Sequence, residues 1–332
     1  MSPKIRVLLV GEIAHAQKAL DKLKQIAEVV KLESKNRKEF ENDLKGKYSD
    51  ISAMYTTFHG FQSTGKFDAE VASWVPSSLK FICHNGAGYD AIQVNEFTPK
   101  GIQVSHTPNP VSDATADTNM YLILGALRNF SLGAIELRKN NWWNNVPLAH
   151  DPKGKVLGIL GMGGIGRALR DRAAPFGFSK IIYHNRTRLD PSLEGIAQYV
   201  SMDELLAESD VLSLNLPLNA HTRHIIDREA LKKVKDGVVI VNTARGAVID
   251  EGALVEALDS GKVASAGLDV FEEEPKIHPG LLKNDKVLLL PHLGTHTVET
   301  RRWMEETVID NIISGLNGGK VIDLVPEQKG KF

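Results

Sequence analysis

Short apolar runs alternate with amphipathic stretches through the first third of the chain. IRVLLV, from Ile5, leads into AHAQKALDKLKQIAEVV, where Leu20, Leu23 and Ile26–Ala27 fall on one stripe. That spacing predicts a strand followed by a helix. ISAMYTT, a helix near Asp68–Trp74, LKFIC and the IQVSH after Gly101 continue the pattern. Apolar strands separated by helices predict a parallel sheet covered on both faces.

After Pro110 comes a long helical stretch, ATADTNMYLILGALRNFSLGAIELRKN, then the polar and aromatic NNWWNNV and the turn-like DPKGK. These read as a connector into a second unit with strands VLGIL, KIIYH, VLSLNL, VVIVNTA, ASAGLDV and KVLLLP. Ser201-x-x-Glu204 is a capping-box signature before ELLAE, and Gly261 marks the end of the helix in ALVEALDS. Six strands with intervening helices predict a doubly wound fold. The helical stretch Glu299–Leu316 lies beyond the last of these strands and is expected to return to the first domain.

The strand VLGIL runs directly into Gly161-Met-Gly163-Gly164-Ile165-Gly166 and a following helix, the context a dinucleotide-binding loop requires. Gly161 permits the tight turn, Gly163 lets a pyrophosphate approach the backbone, and Gly166 allows close helix-to-strand packing. The N–H groups opening the helix, at Gly164, Ile165 and Gly166, would hold the phosphates. An acidic residue for the ribose hydroxyls is expected roughly 20 residues further on. Asn185-Arg186-Thr187-Arg188 stands there instead. Guanidinium groups suit a phosphate by charge and geometry, so NADP(H) is favoured over NAD(H). The alternative is that these arginines are solvated surface residues.

Composition narrows the partners. Forty basic and 41 acidic side chains give a net charge of −1, which supplies no global field toward nucleic acid or an anionic membrane. Cys83 is the single cysteine, so no internal disulfide and no cysteine-rich zinc site can form. The opening MSPKIRVLLVG lacks the apolar core of a secretory signal, and a cytoplasmic location is expected. With 332 residues, two domains are expected.

HNGAGYD, VSDATADT, ILGMGGIG, VVIVNTARGAVIDE, SAGLDVFEEEP and LPHLGTHTVET occur in this order along nearly the whole chain. In these motifs the chain resembles the D-isomer-specific 2-hydroxyacid dehydrogenases, and most of all the fungal glyoxylate/hydroxypyruvate reductases. The resemblance implies an α/β protein of two doubly wound domains. A flavodoxin-like substrate domain would comprise 1–105 plus 293–332, and a Rossmann nucleotide-binding domain 106–292. It implies a catalytic set of Arg245, Glu274 and His292, with the backbone amides of Ala87 and Gly88 holding the substrate carboxylate. Thr115, Pro217, Thr222, Thr243, Ala244, Asp269 and Gly294 match positions lining the cofactor, beside Asn185, Arg186, Arg188, Arg245 and His292. Asn185-Arg186 departs from the family's usual acid and is similar to its NADPH-using members. Trp142 and Trp143 resemble the family's dimer arm, which implies a homodimer; interface packing is the simpler role for them.

The residue types suit reduction of a 2-oxo acid, which needs a proton donor, a carbonyl polariser and a carboxylate anchor. Histidine exchanges a proton near neutral pH, Glu274 would favour imidazolium and orient the ring, and Arg245 can grip carboxylate and carbonyl oxygen together. Glu272 and Glu273 are expected to be solvated neighbours. His292 and His296 are four apart, as in a helical metal pair, but no third ligand at diagnostic spacing accompanies them, so no metal is expected. MYTTF, Met54–Phe58, is expected to face the substrate side chain, and a hinge is expected near Ser105–Pro110 and after Pro291. The expected reaction is NADPH-dependent reduction of glyoxylate or hydroxypyruvate with His292 as proton donor. Two alternatives stay open: a D-mandelate-type dehydrogenase acting on an aromatic 2-oxo acid, and a nucleotide-sensing, corepressor-like protein without turnover.

Overall fold

The apolar run VLLV in the first domain becomes a strand with both faces covered. The structure, a computed structural model, describes residues 5–332. Two compact units divide the chain, one of Met1–Val111 with Thr297–Phe332 and one of Ser112–His296.

The first unit holds a parallel sheet of β1 (Arg6–Val10), β2 (Glu28–Lys31), β3 (Ala53–Thr57), β4 (Phe81–Asn85) and β5 (Gln103–Ser105), ordered β2-β1-β3-β4-β5. Leu8 and Val10 point into one apolar cluster with Met54, Ile82 and Phe67. Val7 and Leu9 point into the other, with Tyr55, Cys83 and Leu23. The helix Val298–Gly318 packs against this sheet, burying Val308, Ile309 and Ile312 in the second cluster. A Cβ on its Gly315 would lie 2.9 Å from the Phe81 ring, so glycine sets how closely helix and sheet approach. The Glu305 carboxylate on the same helix accepts the N–H groups of Ala14, His15 and Ala16, ahead of the helix Gln17–Ile26.

Two readings of this unit need correction. The first helix stops at Ile26, which is 38% exposed, and the EVV that follows is the edge strand β2, paired Val29 to Val7 and Val30 to Leu8. β-branched side chains beside a free strand edge outweigh helical spacing there. Met54, Tyr55 and Thr56 are fully buried in the sheet, so only Thr57 and Phe58 of MYTTF reach toward solvent.

The second unit holds seven parallel strands, β6 (Val156–Leu160), β7 (Lys180–His184), β8 (Gln198–Tyr199), β9 (Val211–Leu214), β10 (Val238–Asn242), β11 (Val263–Leu268) and β12 (Val287–Leu289). Their order, β12-β11-β10-β9-β6-β7-β8, reverses direction between β6 and β9. This is the doubly wound arrangement, with its switch point directly after β6. β8 adds a two-residue strand that no apolar run announces. The capping box at Ser201 and Glu204 forms, and Gly261 adopts φ +80° just past the helix Glu251–Asp259.

The long helix after Pro110 is two helices, Ser112–Arg128 and Phe130–Arg138, bent by 71°. Asn129 makes the corner at φ +53°, a conformation asparagine tolerates better than most residues. Both unit boundaries lie beyond the 105/106 and 292/293 positions drawn from the sequence. Hydrogen bonds from His106 N–H to Asp323 and from Thr107 N–H to Gly86 keep the segment after β5 with the first sheet. Asp269 keeps Leu293 and Gly294 with the second. Among the described residues, no single helix is long and apolar enough to cross a membrane.

Candidate active site and dinucleotide site

The turn after β6 is built so that only glycine fits at its two closed positions. Gly161 has φ +99°, and a Cβ there would lie 2.7 Å from the Asn215 carbonyl oxygen. A Cβ on Gly166 would lie 2.3 Å from the Gly161 carbonyl oxygen. Gly163, in contrast, faces open space, with no atom within 4 Å of an added Cβ. It precedes the helix Gly164–Ala173, whose first turn receives no side-chain cap. Uncapped N–H groups beside an open glycine form an anion cradle at the sheet's switch point, and these residues fit a dinucleotide pyrophosphate.

At the end of β7, Asn185 Oδ1 accepts the Met162 N–H at 2.7 Å, fastening the glycine turn to the neighbouring strand. Arg186 is exposed and makes no ion pair among the described residues. Arg188 differs from a solvated or waiting arginine: its guanidinium donates at 2.7 and 2.9 Å to the two carboxylate oxygens of Glu194. Glu194 also accepts from the Tyr183 hydroxyl at 2.6 Å, and these bonds hold its carboxyl down to about 2. Arg188 is therefore already committed to a partner, whereas Arg186 is not.

The loop after β9 is closed by Thr222, whose hydroxyl donates to the Pro217 carbonyl at 2.6 Å and accepts the Asn219 N–H at 2.9 Å. A buried network escaped the sequence reading. The amide nitrogen of Asn119, fully buried on the helix Ser112–Arg128, lies 2.9–3.1 Å from Ser213 Oγ, Asn215 Oδ1 and Thr243 Oγ1, and its Oδ1 accepts from Ser213 Oγ at 3.1 Å. It ties the ends of β9 and β10 together beneath the site.

Beyond β10, Asn242 shapes the turn that carries Arg245. Its side chain accepts the Ala244 N–H and donates to the Arg245 carbonyl. A Cβ on Gly246 would fall 1.9 Å from the Phe271 backbone carbon, so this glycine lets the Arg245 turn close on the segment leading to Glu274. Glu274 Oε1 accepts the Phe271 N–H at 3.0 Å, and Oε2 meets His292 Nδ1 at 2.8 Å. Burial opposes ionisation of Glu274, but the hydrogen bond and charge of His292, the Phe271 N–H and the charge of Arg245 hold it below the usual glutamate range. The structure thus brings Arg245, Glu274 and His292 together on one unit. The contact with Glu274 at Nδ1 fixes the orientation of the His292 ring.

The segment carrying His292 is held from behind by Asp269, which is fully buried. Asp269 Oδ1 accepts the Leu293 N–H at 2.6 Å and Oδ2 the Gly294 N–H at 2.8 Å, while its carbonyl accepts the His292 N–H at 2.8 Å. Thr115 donates to the Gly294 carbonyl at 3.3 Å. His292 itself adopts φ +55°, a left-handed conformation that costs a non-glycine residue about 1–3 kcal/mol and persists only where its surroundings enforce it. Glu272 is not a solvated neighbour: its Oε1 meets His224 Nε2 at 2.9 Å and accepts the Glu251 N–H at 3.1 Å. His292 and His296 lie outside any helix, so helical metal-pair geometry does not apply.

In the first unit, Ala87 and Gly88 follow β4 in a half-buried loop. Ala87 gives its carbonyl to His106 Nδ1 at 2.8 Å. Trp142 and Trp143, in the second unit, are 61% and 71% exposed, close to the exposed Leu137 and Leu148. Glu136 organises their loop by accepting from Lys139, Asn141 and Asn145.

Comparison with known proteins agrees with this geometry. Residues 120–294 match the model for the NAD-binding domain of the D-isomer-specific 2-hydroxyacid dehydrogenases. Over 326 residues the chain is 56% identical to 4-methyl-2-oxopentanoate reductase A of Aspergillus oryzae, covering 98% of this chain and 99% of that one. The crystal structure of a glyoxylate reductase from Paecilomyes thermophila superposes with a TM-score of 0.96 at 52% identity, over 98% of this chain and 100% of that one. The NADPH-dependent glyoxylate/hydroxypyruvate reductase of Sinorhizobium meliloti, solved with NADP and malonate, superposes with a TM-score of 0.85 at 30% identity, over 98% of this chain and 97% of that one. The chain belongs to the D-isomer-specific 2-hydroxyacid dehydrogenases and is an NAD(P)-dependent enzyme of that family.

Proposed function

We propose that this enzyme uses NADPH to reduce a small 2-oxo acid, glyoxylate or hydroxypyruvate, to the 2-hydroxy acid. The observation that carries the reading is the Glu274–His292 pair beside Arg245, on the unit that also bears the uncapped glycine helix. When bound, the reduced nicotinamide supplies a hydride to the carbonyl carbon. His292 gives the proton to the carbonyl oxygen, and Glu274 stabilises the imidazolium that donates it. Arg245 opposes the charge growing on that oxygen; the amides of Ala87 and Gly88 are the carboxylate donors that the family resemblance implies. Gly161, Gly163, Gly164, Ile165 and Gly166 hold the pyrophosphate. Thr115, Pro217, Thr222, Thr243, Ala244, Asp269 and Gly294 form the walls around the rest of the cofactor.

Arg186 supports the phosphorylated cofactor, because it is exposed and has no acidic partner among the described residues to satisfy it. The relative solved with NADP points the same way. Arg188, bound to Glu194, contributes a shared rather than a full positive charge. A second reading of the substrate comes from the relative named as a 4-methyl-2-oxopentanoate reductase, which favours a branched aliphatic 2-oxo acid. The exposed Trp142, Trp143, Leu137 and Leu148 favour a homodimer formed through this arm.

Initial rates of NADPH and NADH oxidation with glyoxylate, hydroxypyruvate, 4-methyl-2-oxopentanoate and phenylglyoxylate test the reading. Fastest turnover of NADPH with either small acid supports it. A higher kcat/KM for the branched acid moves the assignment to the second reading, one for phenylglyoxylate moves it to aromatic acids, and NADH preference overturns the role of Arg186.

A further inference from the structure

Glu274 reaches His292 from a segment that is fastened two residues earlier, at Glu272. Glu272 Oε1 accepts the Glu251 N–H at 3.1 Å, and the Glu272 N–H donates to Glu251 Oε1 at 2.8 Å, a reciprocal pair of side chain and backbone. The same Glu272 Oε1 lies 2.9 Å from His224 Nε2. An ionised carboxylate only accepts, so Nε2 carries the proton of that contact. Three chain segments therefore meet at one carboxylate oxygen.

Two of those segments already form one piece. His224 donates its backbone N–H to the Ala247 carbonyl at 2.8 Å, Ile226 donates to the Val248 carbonyl at 3.2 Å, and Asp250 donates to the Ile226 carbonyl at 3.0 Å. This short ladder starts just after Arg245 and runs up to Glu251, the first residue of the helix Glu251–Asp259. His224 adopts φ +50°, which a non-glycine residue keeps only where its surroundings enforce it. Glu272 grips the ladder through His224 and through Glu251, and so fixes the segment leading to Glu274 against the turn that carries Arg245. Two residues of chain span at most about 7 Å, so a shift at Glu272 is passed to Glu274 with little slack. The contact between Glu274 and His292 is 2.8 Å long, and such bonds weaken beyond about 3.2 Å. Glu273, between the two, is exposed, and its side chain makes no hydrogen bond or ion pair among the described residues.

We propose that Glu272 is a positioning residue for the reaction: held between His224 and Glu251, it sets the place from which Glu274 supports the His292 imidazolium. The inference rests on the reading of Glu274 and His292 as the pair that delivers the proton.

Glu272→Gln keeps an Oε1 that accepts the same two donors, whereas Glu272→Met has a similar length and no such acceptor. Glu272→Met should lower kcat for the preferred 2-oxo acid by about ten- to a hundredfold, while the Kd for the dinucleotide, titrated by fluorescence quenching, stays within about twofold of wild type. Glu272→Gln should return kcat to within about threefold of wild type, and Glu273→Met should match wild type. In a Glu274→Gln background, Glu272→Met should cost less than about twofold more, because Glu272 acts through Glu274. If Glu272→Met does not fold, as judged by circular dichroism, His224→Asn takes its place in the kinetic and double-variant comparisons. Asparagine tolerates φ +50°, and its Nδ2 falls short of the place of histidine Nε2.

A folded Glu272→Met with wild-type kcat, a parallel rise in its dinucleotide Kd, a Glu272→Gln as slow as Glu272→Met, or an undiminished further loss in the Glu274→Gln background would each overturn the proposal. Glu274→Gln by itself separates this from the reading beneath it. Wild-type kcat in Glu274→Gln removes the role of Glu274 and this proposal with it. A slow Glu274→Gln beside a Glu272→Met of wild-type rate leaves the role of Glu274 standing and removes Glu272 alone.

Discussion

Asp269→Asn tests whether a buried carboxylate holds His292, the proposed proton donor, in place. The side chain is 0% exposed and its two oxygens accept the N–H groups of Leu293 and Gly294 at 2.6 and 2.8 Å. An amide of the same shape keeps one acceptor and turns an NH2 group toward the other N–H. One charge-assisted bond is lost, at about 1.5–3 kcal/mol, and one buried N–H is orphaned, at about 1–3 kcal/mol. Against this, burial and the nearby Glu274 charge raise the Asp269 carboxyl above its ordinary range despite the two N–H bonds and the charge of His292, so removing its charge returns part of the loss. A net cost of about 2–3 kcal/mol results, which for a domain of this size lowers the melting temperature by about 4–12 °C. The same clamp maintains φ +55° at His292. Once it loosens, that strain is released by moving the ring away from Glu274, and kcat/KM should fall by about a hundredfold or more. Differential scanning fluorimetry and steady-state kinetics on the purified variant provide both readouts. A melting temperature within about 1 °C of wild type and a kcat/KM within about threefold would refute the argument, because no buried donor would then have lost its acceptor.

Gly163→Ala should leave the melting temperature unchanged, since nothing lies within 4 Å of the added methyl, yet weaken dinucleotide binding by about tenfold or more in a calorimetric titration. Gly166→Ala meets the Gly161 carbonyl and should lose stability as well; equal melting behaviour of the two variants would contradict the assigned roles. His292→Gly should be more stable than His292→Ala by about 1 kcal/mol, measured by urea unfolding, because both lose the Glu274 contact and only glycine takes φ +55° without strain. Glu136, held down to about 2 by hydrogen bonds from Lys139, Asn141 and Asn145, has a folded value below its unfolded one of about 4.3, so its stabilisation of the tryptophan arm is complete above the unfolded value and disappears as pH falls toward 2. Tryptophan emission measured through that acid range should report the change, and Glu136→Gln should show the acid-like emission at neutral pH; wild-type emission in that variant would exclude the role.

The strands were legible because a parallel sheet buried on both faces writes a continuous apolar run, as in RVLLV and VVIVN. Where that rule weakens, at the sheet edges, the reading failed. β2 has half-buried residues and comes after a helix without punctuation, while β8 is two residues long. The corner at Asn129 was hidden for a different reason: a single asparagine inside an apolar helical pattern is compatible with helix, and only the packing of the second helix, Phe130–Arg138, selects φ +53°.

Site residues divide along a similar line. Gly161, Gly163 and Gly166 could be read individually from the spacing of the loop, and the structure shows a steric reason at Gly161 and Gly166 and open space at Gly163. Arg245, Glu274 and His292 could be named from motifs, yet their juxtaposition depends on Gly246 allowing one backbone to touch another, a contact between chain segments 25 residues apart. Least legible were polar side chains whose work is done on backbone groups distant in sequence: Asn119 beneath β9 and β10, Asp269 behind His292, and His106 behind Ala87. None carries a spacing signal, because its partner is selected by tertiary structure. Arg188 makes the converse point. Its type suggested a phosphate ligand, but Glu194, six residues away, already engages two of its donors and shares its charge. Residue type specifies what chemistry a side chain can perform; the number of its hydrogen bonds already spent within the fold decides whether it remains available to a ligand, and on that count Arg186 and not Arg188 is the arginine to remove first when cofactor choice is tested.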